Sequence, residues 1–335
     1  MRVLVTGAGG FLGRHVVARL LVRGHNVRAI VRPASPRPSW GPDVEVFYAD
    51  FRAHDNLISV FDGIDAVIHM AAATSGNEDV QFTSTVVGTE RLLEAMSRTA
   101  VKRLILVSSL VVYDWARARG TMAETTPLLL DPYDMGAYTI AKVWQERVAS
   151  SMTGTHGWDL TIMRPGFIWG RNHAEIAGMG RRFGPVQLMF GPFTRLPLSH
   201  VVNCADAVVA SMENPNSSGL TFNVVDADDI RVWRYVREYW HRSGRGGIPV
   251  PLPYVVGLGI AQFASFVSRI LFGNKGKLPS LLAPRRFQQQ FKPLRFSNDT
   301  LRAKLGWTPP LDFQACLART YAPDPDVEYN AVKRT

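Results

Sequence analysis

The chain has 335 residues, of which 46% are hydrophobic, and it carries a formal net charge of +10. That length and apolar content are enough for a sizeable core, in one large domain or two smaller ones. The two cysteines, Cys204 and Cys316, lie far apart in the sequence, which excludes a disulfide framework and a cysteine-based metal site. We therefore expect no resident metal. A strand-like apolar run begins at Met1, where a signal peptide would lie, so we expect a cytoplasmic protein.

The first half of the sequence alternates short apolar runs with helical patterns. Strands are predicted at Arg2–Thr6, Asn26–Val31, Val44–Tyr48, Ala66–His69, Arg103–Ser108 and Leu160–Arg164. Helices are predicted at Phe11–Arg23, Asn56–Phe61, Ser84–Ser97 and Gly136–Ser151. Strands that alternate with helices indicate a parallel sheet covered on both faces. Right-handed connections then make this a doubly wound α/β fold of the Rossmann type.

The pattern changes after residue 165, and this change predicts two interleaved regions and a tail. They are a Rossmann domain at 1–165 to which residues 201–226 return, a smaller substrate-binding region at 166–200 and 227–322, and a loosely held tail at 323–335. The returning segment contains a predicted helix at Ala205–Glu213 and a predicted strand at Thr221–Val225. The substrate-binding region is richer in Gly, Pro and Arg and less regular than the first half.

The positive charge is concentrated in one late segment. Residues 231–304 contain 14 Lys or Arg and only two acids, Glu238 and Asp299, so this segment carries +12 and the remainder sums to −2. Such a surface suits a phosphorylated substrate, an anionic membrane or nucleic acid, and a solvated basic face is the alternative. We do not expect a nucleic-acid partner, because the aromatic and arginine residues at 231–240 fall at helical spacing and form no recognised motif.

One apolar stretch, Tyr254–Phe272, has nineteen residues and a single charge, Arg269, and is just long enough to span a bilayer. Gln262, Ser265 and Arg269 recur at helical spacing on one narrow stripe. We interpret the stretch first as an amphipathic helix that packs on the domain. A helix that lies in a membrane interface is the second interpretation. A membrane span ranks last, because the N-terminal strands already build a soluble type of fold.

A glycine-rich turn, Thr6-Gly-Ala-Gly-Gly-Phe-Leu-Gly13, follows the first predicted strand and opens a helix. Gly7, Gly10 and Gly13 let the backbone turn tightly and approach a pyrophosphate, to which the helix N-terminus offers free N–H groups. A glycine pattern alone is weak evidence, but strand, glycines and helix in this order predict a dinucleotide-binding site. A plain glycine turn is the alternative.

The end of the second predicted strand distinguishes the two nicotinamide cofactors. A carboxylate there binds the ribose 2′-hydroxyl, whereas an arginine accepts a 2′-phosphate. The first 42 residues contain no Asp or Glu; Val31 occupies the expected acid position and Arg32 follows it. This favours NADP over NAD, although an arginine can also stack on adenine. Asp50, after the third strand, is a candidate acceptor for the adenine amine or a cap for the helix expected near Asp55.

Tyr138 and Lys142 are four residues apart on a predicted helix and therefore share one face, which in isolation is a commonplace pair. With the glycine turn, however, the sequence resembles the extended short-chain dehydrogenase/reductase family, also called NAD-dependent epimerases/dehydratases, from residue 1 to about 320. The further segments that carry the resemblance are Val67-Ile-His-Met-Ala-Ala-Ala73, Ser108-Ser-Leu-Val-Val-Tyr-Asp114, Arg164-Pro-Gly-Phe-Ile-Trp-Gly170, His200-Val-Val-Asn203 and Leu305-Gly-Trp-Thr-Pro309.

The resemblance implies a role for three side chains. Ser109 is expected to hydrogen-bond the substrate oxygen, and Tyr138 to be the general acid/base. Lys142 is expected to bond the nicotinamide ribose and to lower the pKa of Tyr138, because free tyrosine titrates near about 10. The full set of candidate cofactor-binding residues is Gly7, Gly10, Phe11, Leu12, Gly13, Arg32, Asp50, Phe51, Ala71, Ala72, Tyr138, Lys142 and Pro165.

The sequence also departs from the family pattern. Thr85 stands where an Asn is usual, Asp114 replaces a Gly, and Val202 replaces an Asp. The segment after Ser109 lacks the Thr-Asp-Glu that marks the sugar-nucleotide dehydratases, so dehydration is not expected. The His69 side chain, at the end of a buried strand, is interpreted as structural.

These features predict an NADP-preferring oxidoreductase or epimerase that transfers hydride at a secondary alcohol or ketone of a small molecule. The basic segment favours a nucleotide-sugar or related glycan precursor, which is the substrate class that we expect from the sequence. The apolar helix favours a hydrophobic substrate, as in a ketoreductase or a 3β-hydroxysteroid dehydrogenase, or a peripheral membrane contact. A non-catalytic NADP-sensing regulator is the alternative from another class. The resemblance also implies a homodimer through Ser84–Ser97 and Gly136–Ser151.

Overall fold

The computed structural model describes residues 1–33, 40–51, 57–273 and 278–322. The strands are β1 (Arg2–Thr6), β2 (Asn26–Val31), β3 (Val44–Tyr48), β4 (Ala66–His69), β5 (Arg103–Val107), β6 (Thr121–Met122), β7 (Asp159–Pro165), β8 (Phe167–Trp169), β9 (Arg181–Phe183), β10 (Val186–Phe190), β11 (Leu198–His200), β12 (Thr221–Val224), β13 (Ile248–Leu252) and β14 (Arg295–Phe296). The helices are α1 (Phe11–Val22), α2 (Glu78–Phe82), α3 (Gly88–Ser97), α4 (Ala137–His156), α5 (Val201–Glu213), α6 (Val232–Ser243), α7 (Tyr254–Phe272), α8 (Pro284–Phe291), α9 (Asp299–Leu305) and α10 (Phe313–Tyr321). The tail 323–335 and the helix start expected near Asp55 and Asn56 lie outside the described residues.

Seven parallel strands form the central sheet, in the order β12-β7-β5-β4-β1-β2-β3. The chain starts in the middle at β1, winds outward to β3 and crosses back to β4, which confirms the predicted doubly wound Rossmann fold. The strand order reverses between β1 and β4, whose last residues Thr6 and His69 are paired. Open parallel sheets form their ligand crevice at the carboxyl ends of the strands, at such a reversal.

Helices cover both faces of this sheet, because successive strand residues point to opposite sides. Val3 and Val5 pack with α1 and α5 on one face, whereas Leu4 packs with α3 and α4 on the other. All three strand residues are fully buried. The near-continuous apolar strands that the sequence shows are therefore those of a sheet buried on both faces.

The strands of the substrate-binding region form small additional sheets, with the orders β13-β10-β9, β11-β8 and β14-β6, of which β6 comes from the Rossmann domain. The sequence did not predict them. They have only two to five residues each, and β13 contains Pro249 and Pro251, which disrupt the alternation on which strand prediction depends.

Several helical segments differ from their predictions. Helix α5 begins at Val201, four residues before the predicted start at Ala205. The described part of the helix predicted at Asn56–Phe61 is a short 3-10 turn, Ile58–Phe61. The segment predicted at Ser84–Ser97 begins earlier, at α2, where the Asn77 side chain accepts a hydrogen bond from the Val80 N–H (2.9 Å). A π-helical turn, Thr83–Val87, then joins α2 to α3. Helix α4 continues beyond the predicted end to His156, since Gly157 adopts the left-handed conformation (φ 62°) that closes a helix.

Candidate active site

The site lies at the carboxyl ends of β1, β4, β5 and β7, next to the first turns of α1 and α4. Because these strands are parallel neighbours, the chain segments that follow them meet at one edge of the sheet. Three groups of candidate residues are brought to this edge. They are the glycine turn after β1, Ser109 after β5, and Tyr138 with Lys142 on α4.

The glycine turn packs so closely on itself and on the segment after β4 that Gly7 and Gly13 leave no space for a side chain. Gly7 has φ 69°, and a Cβ there would lie 2.9 Å from the Ala71 backbone nitrogen. A Cβ on Gly13 would lie 2.1 Å from the Gly7 carbonyl oxygen. Phe11 and Leu12 occupy the first turn of α1, where N–H groups have no partner within the helix. This arrangement fits a dinucleotide pyrophosphate, and the bound cofactor would supply the hydride chemistry.

The remaining cofactor candidates also lie at this edge. Arg32 directly follows β2 and is exposed, whereas Asp50 and Phe51 follow β3 and are half-buried. The Phe51 carbonyl accepts a hydrogen bond from the Arg91 guanidinium (2.7 Å), which ties this segment to α3. Half-buried Ala71 and Ala72 come directly after β4 and buried Pro165 ends β7.

Ser109 and Tyr138 are brought together by the loop after β5 and the first turn of α4. Burial raises the pKa of Tyr138 to about 12, and a side-chain hydrogen bond with Ser109 acts in the opposite direction. The sequence predicts that Lys142 lowers this pKa. The net shift is upward, because desolvation of the phenolate outweighs the hydrogen bond that favours it.

Lys142, one turn further along α4, is 3% exposed. Its Nζ donates to the Val107 carbonyl (2.9 Å) and to Gln145 Oε1 (2.8 Å). Burial lowers the pKa of Lys142 to about 8, and the charge of Glu146 acts to raise it. The lysine is therefore held by two neutral acceptors at the end of β5 and on its own helix.

A buried polar network lies next to Lys142. The sequence predicted a structural role for His69 but did not indicate the other members of this network. His69 Nδ1 contacts Thr6 Oγ1 (2.6 Å), and His69 Nε2 contacts Thr89 Oγ1 (2.7 Å). Burial lowers the pKa of His69 to about 3, and the nearby charge of Lys142 lowers it further, so the ring is neutral. The signal for Gln145 was its position three residues after Lys142, which places both side chains on one helix face.

Thr85, which departs from the expected Asn, lies in the π-helical turn. Its Oγ1 accepts a hydrogen bond from the Ala73 N–H (3.0 Å), and its carbonyl accepts one from Thr89 Oγ1 (2.5 Å). Thr85 therefore fixes the segment that leaves β4 next to the glycine turn.

A buried ion pair anchors α4 to β7. The Arg164 guanidinium donates from Nε to Glu146 Oε1 (2.9 Å) and from Nη2 to Glu146 Oε2 (2.7 Å). The guanidinium also lies 4.7 Å from the centre of the Tyr113 ring. Bidentate geometry of this kind fixes the rotation of α4 and hence the direction in which Tyr138 points.

Helix α8 covers the loop in front of α4. Gln289 bridges the two by accepting from Thr139 Oγ1 (3.1 Å) and donating to the Val111 carbonyl (3.0 Å). The basic residues of α8 and its end bond the same loop: Arg285 to Asp134 Oδ1 (2.6 Å), Arg286 to the carbonyls of Asp134 and Met135 (both 2.9 Å), and Lys292 to the carbonyls of Trp115 (2.7 Å) and Ala116 (2.8 Å). Part of the basic charge of residues 231–304 therefore stabilises the protein itself.

Helix α7 has the predicted bounds, but only a narrow stripe of it packs on the protein. Gly257 and Ala261 are buried, and Ala261 packs in one cluster with Phe190 and Phe287. The other faces expose large apolar side chains: Val255, Val256, Ile260, Phe263, Phe266, Ile270 and Leu271. By length and composition alone, Tyr254–Leu271 could also cross a membrane. A helix with so much apolar surface outside the core needs a partner other than water.

Comparisons with known proteins agree with this geometry. A family model described as the NAD dependent epimerase/dehydratase family matches residues 3–224. The chain is 29% identical to a 3 beta-hydroxysteroid dehydrogenase/Delta 5-->4-isomerase of Mycobacterium tuberculosis, over 94% of this chain and 88% of the relative. It is 31% identical, over 51% of each chain, to a 4-hydroxy-2-methyl-3-oxo-4-farnesyl-3,4-dihydroquinoline-1-oxide ketoreductase of Stigmatella aurantiaca.

Among solved structures, UDP-glucuronic acid 4-epimerase from Bacillus cereus, in complex with UDP-glucuronic acid and NAD, has a TM-score of 0.70 to this chain. The match covers 100% of this chain and 99% of the epimerase at 18% identity. At that identity the likeness shows the shared fold alone.

Proposed function

We propose, from the premise that this chain belongs to the NAD dependent epimerase/dehydratase family, that its site exchanges hydride with a secondary alcohol or ketone of an apolar substrate. The enzyme is an NAD(P)-dependent oxidoreductase or epimerase of the extended short-chain dehydrogenase type. We infer the substrate class of this enzyme from the structure of the substrate-binding region.

The observation that carries this choice is the apolar packing of α8, which is bonded to α4 at Thr139, the residue after Tyr138. Helix α8, which is bonded to α4 through Gln289, places Phe287 and Phe291 against Phe190 in an apolar cluster continued by α7. The basic side chains of α8 bond loop carbonyls and Asp134 instead of an open anion site. A 3 beta-hydroxysteroid dehydrogenase that matches 94% of the chain supports the same class.

The proposed chemistry assigns one task to each of three side chains. Ser109 holds the substrate oxygen, and Tyr138 exchanges a proton with that oxygen at its phenol. Lys142 donates a hydrogen bond to the nicotinamide ribose and supplies positive charge below its pKa of about 8. A phenol whose pKa is raised to about 12 stays protonated at neutral pH and is suited to donate a proton to a ketone. In the oxidation direction Tyr138 must lose this proton, so oxidation is favoured by higher pH.

A comparison of substrates tests the proposed class directly. We expect the reduced nicotinamide to form from NADP when a 3β-hydroxysteroid is added, and to be consumed when a 3-ketosteroid is added to NADPH. UDP-glucose and UDP-glucuronic acid, measured by chromatography for epimerised product, are expected to stay unchanged. Epimerisation of a UDP-sugar together with no steroid turnover would refute the apolar class.

A nucleotide-sugar or related glycan precursor is the second candidate. The +12 charge of residues 231–304 favours it, because a diphosphate would be attracted to that segment. Its core chemistry uses the same Ser109, Tyr138 and Lys142, and the substrate comparison above distinguishes the two candidates.

NADP is the cofactor form that we propose within this NAD(P)-dependent family. Arg32 follows β2 and is exposed, at the strand end where a 2′-phosphate would lie. We expect Arg32→Ala to weaken NADPH binding about tenfold to a hundredfold, since hydrogen bonds to charged groups are worth about 1.5–3 kcal/mol, while NADH binding changes little. Fluorescence titration of both cofactors measures this. Equal weakening of NADPH and NADH would contradict the preference.

The exposed faces of α7 are proposed to lie in the interface of an anionic membrane. The exposed side chains include Phe263, Phe266 and Ile270, and the helix contains no acid but carries Arg269 in its last turn. Apolar side chains that enter the acyl region and basic residues beside them are what an interfacial helix combines. A peripheral contact here would let an apolar substrate reach the site from the bilayer.

A further inference from the structure

The buried network beside Lys142 has one consistent set of hydrogen positions. Thr6 Oγ1 accepts from the N–H groups of Met70 (3.2 Å) and Ala71 (3.3 Å). Both acceptor positions of this hydroxyl are then used, so its hydrogen is donated to His69 Nδ1 (2.6 Å). Since Nδ1 is the acceptor, the neutral ring of His69 carries its proton on Nε2.

From His69 the hydrogen bonds continue in one direction. His69 Nε2–H donates to Thr89 Oγ1 (2.7 Å), whose own hydrogen is donated to the Thr85 carbonyl (2.5 Å). Thr89 Oγ1 has one acceptor position left, and Gln145 Nε2 donates to it (2.9 Å). His69 Nε2 and Gln145 Nε2, which lie 3.3 Å apart, are both donors and make a close contact only.

This network fixes which end of the Gln145 amide faces Lys142. Gln145 Nε2 also donates to the Ala71 carbonyl (3.2 Å), so Oε1 points at Lys142 Nζ (2.8 Å). The reversed amide would place an NH₂ group against the ammonium and an oxygen against the Ala71 carbonyl. Each of those contacts would leave a buried polar group unsatisfied, at a cost of about 1–3 kcal/mol.

Lys142 has three N–H bonds, and two of them are used by protein acceptors. The Val107 carbonyl and Gln145 Oε1 take one each. Tetrahedral geometry at Nζ then sets the direction of the third. The two acceptors are held by β5 and by the network from Thr6 and Ala71, so the glycine turn and the lysine are positioned by the same set of bonds.

We propose that Gln145 is a positioning residue for hydride transfer: held by Ala71 and Thr89, it orients the Lys142 ammonium so that its third N–H is presented to the cofactor ribose. This inference rests on the proposed role of Lys142. Gln145 does not take part in proton transfer, because its amide is neutral and its NH₂ group donates to the Ala71 carbonyl and to Thr89 Oγ1. Tyr138 and Lys142 therefore depend on a third residue of the same helix, Gln145, which positions the lysine.

The charged and titratable groups around Lys142 define what a pH experiment reports. Glu146 lies on the same helix and is paired with Arg164 from β7, and His69 from β4 is neutral, with its pKa lowered to about 3. Tyr138 has its pKa raised to about 12. Among these groups, Lys142 is the one that changes charge between pH 7 and 10, because its pKa is about 8. Its charged form binds the ribose, so cofactor affinity is highest below that pKa and falls as the pH rises through it.

The test is the pH dependence of NADPH binding, measured by fluorescence for three variants. Gln145→Met removes the acceptor at nearly constant size, so we expect the fall in affinity to move to lower pH and the affinity at pH 7 to drop about tenfold or more. Gln145→Glu places a carboxylate against the ammonium, so the fall should move to higher pH. The matched control is Gln187→Met, another buried glutamine, on β10, whose Nε2 donates to the Met179 carbonyl (3.0 Å).

The expected result is opposite displacements for Gln145→Met and Gln145→Glu and none for Gln187→Met. A wild-type pH dependence in either folded Gln145 variant, or equal effects of Gln145→Met and Gln187→Met, would overturn the inference. If Gln145→Met does not fold, the displacement in Gln145→Glu decides alone. The proposed function is tested by a different result: it would be refuted if Tyr138→Phe retained turnover. Failure of the Gln145 inference and failure of the proposed function can therefore be distinguished.

Discussion

Tyr138→Phe is expected to lower kcat by about a hundredfold to ten-thousandfold, which is the usual contribution of a positioned general acid or base. The substitution keeps the ring and removes only the hydroxyl that hydrogen-bonds Ser109 and exchanges the proton. NADPH binding is expected to stay within about twofold of wild type, because Lys142 and the glycine turn are unchanged. Steady-state turnover of a 3-ketosteroid and a fluorescence titration measure the two quantities.

The matched control for this substitution is Tyr133→Phe. Tyr133 is 68% exposed on the loop before α4, and the same hydroxyl is removed there without contact with Ser109. Turnover of this variant should equal that of wild type. Tyr138→Phe with wild-type kcat would show that another group moves the proton.

Two acidic substitutions on α7, Phe263→Glu and Phe266→Glu, are expected to abolish binding to anionic vesicles. Phe263 and Phe266 are 69% and 58% exposed. Burial of a phenylalanine side chain in an apolar phase is worth about 1.5–3 kcal/mol, so the loss of two changes the partition coefficient by a factor of roughly a hundred or more. Flotation with phosphatidylserine-containing vesicles at low salt measures the bound fraction.

A control variant for the vesicle experiment adds the same charges elsewhere. Val22 on α1 and Val80 on α2 are 51% and 41% exposed, so Val22→Glu with Val80→Glu matches the change in charge at exposed apolar positions outside α7. This variant should float as wild type does. If the wild-type protein does not float, or if both double variants lose binding equally, α7 is not an interfacial helix.

The central sheet could be predicted closely, because its strands are short apolar runs that two covering layers of helices bury on both faces. The bounds of β1 to β4 agree with the sequence prediction, and so do those of α7. In each of these elements the hydrophobic pattern is decided by local burial. The doubly wound arrangement also followed, since right-handed crossovers leave few other arrangements.

The substrate-binding region could not be predicted in the same way. Its strands have two to five residues, and they pair with segments distant in sequence: β14 pairs with β6 of the Rossmann domain, and β10 pairs with β13. The basic segment was correctly located in the sequence, but its use was not predictable. Whether Arg286 and Lys292 face a ligand or a loop carbonyl depends on how α8 packs. A count of charges along the sequence gives no information about that packing.

The candidate site shows the same division. Glycine spacing and the Tyr138–Lys142 spacing are local patterns, and the sequence could supply them. The Gln145 network links β1, β4, α3 and α4, and its hydrogen-bond directions depend on distances across four elements. The pKa of Tyr138 also depends on burial, which raises it and which a spacing pattern in the sequence does not reveal.

Transfer of deuterium from 4,4-dideuterated NADPH, which carries deuterium on both faces of the ring, to a 3-ketosteroid tests the central claim most directly. Mass spectrometry of the product alcohol is expected to show one deuterium at the carbinol carbon with the wild-type enzyme, and none above background with Tyr138→Phe in the same time. An alcohol product without deuterium, or equal labelling by both proteins, would contradict hydride transfer assisted by Tyr138.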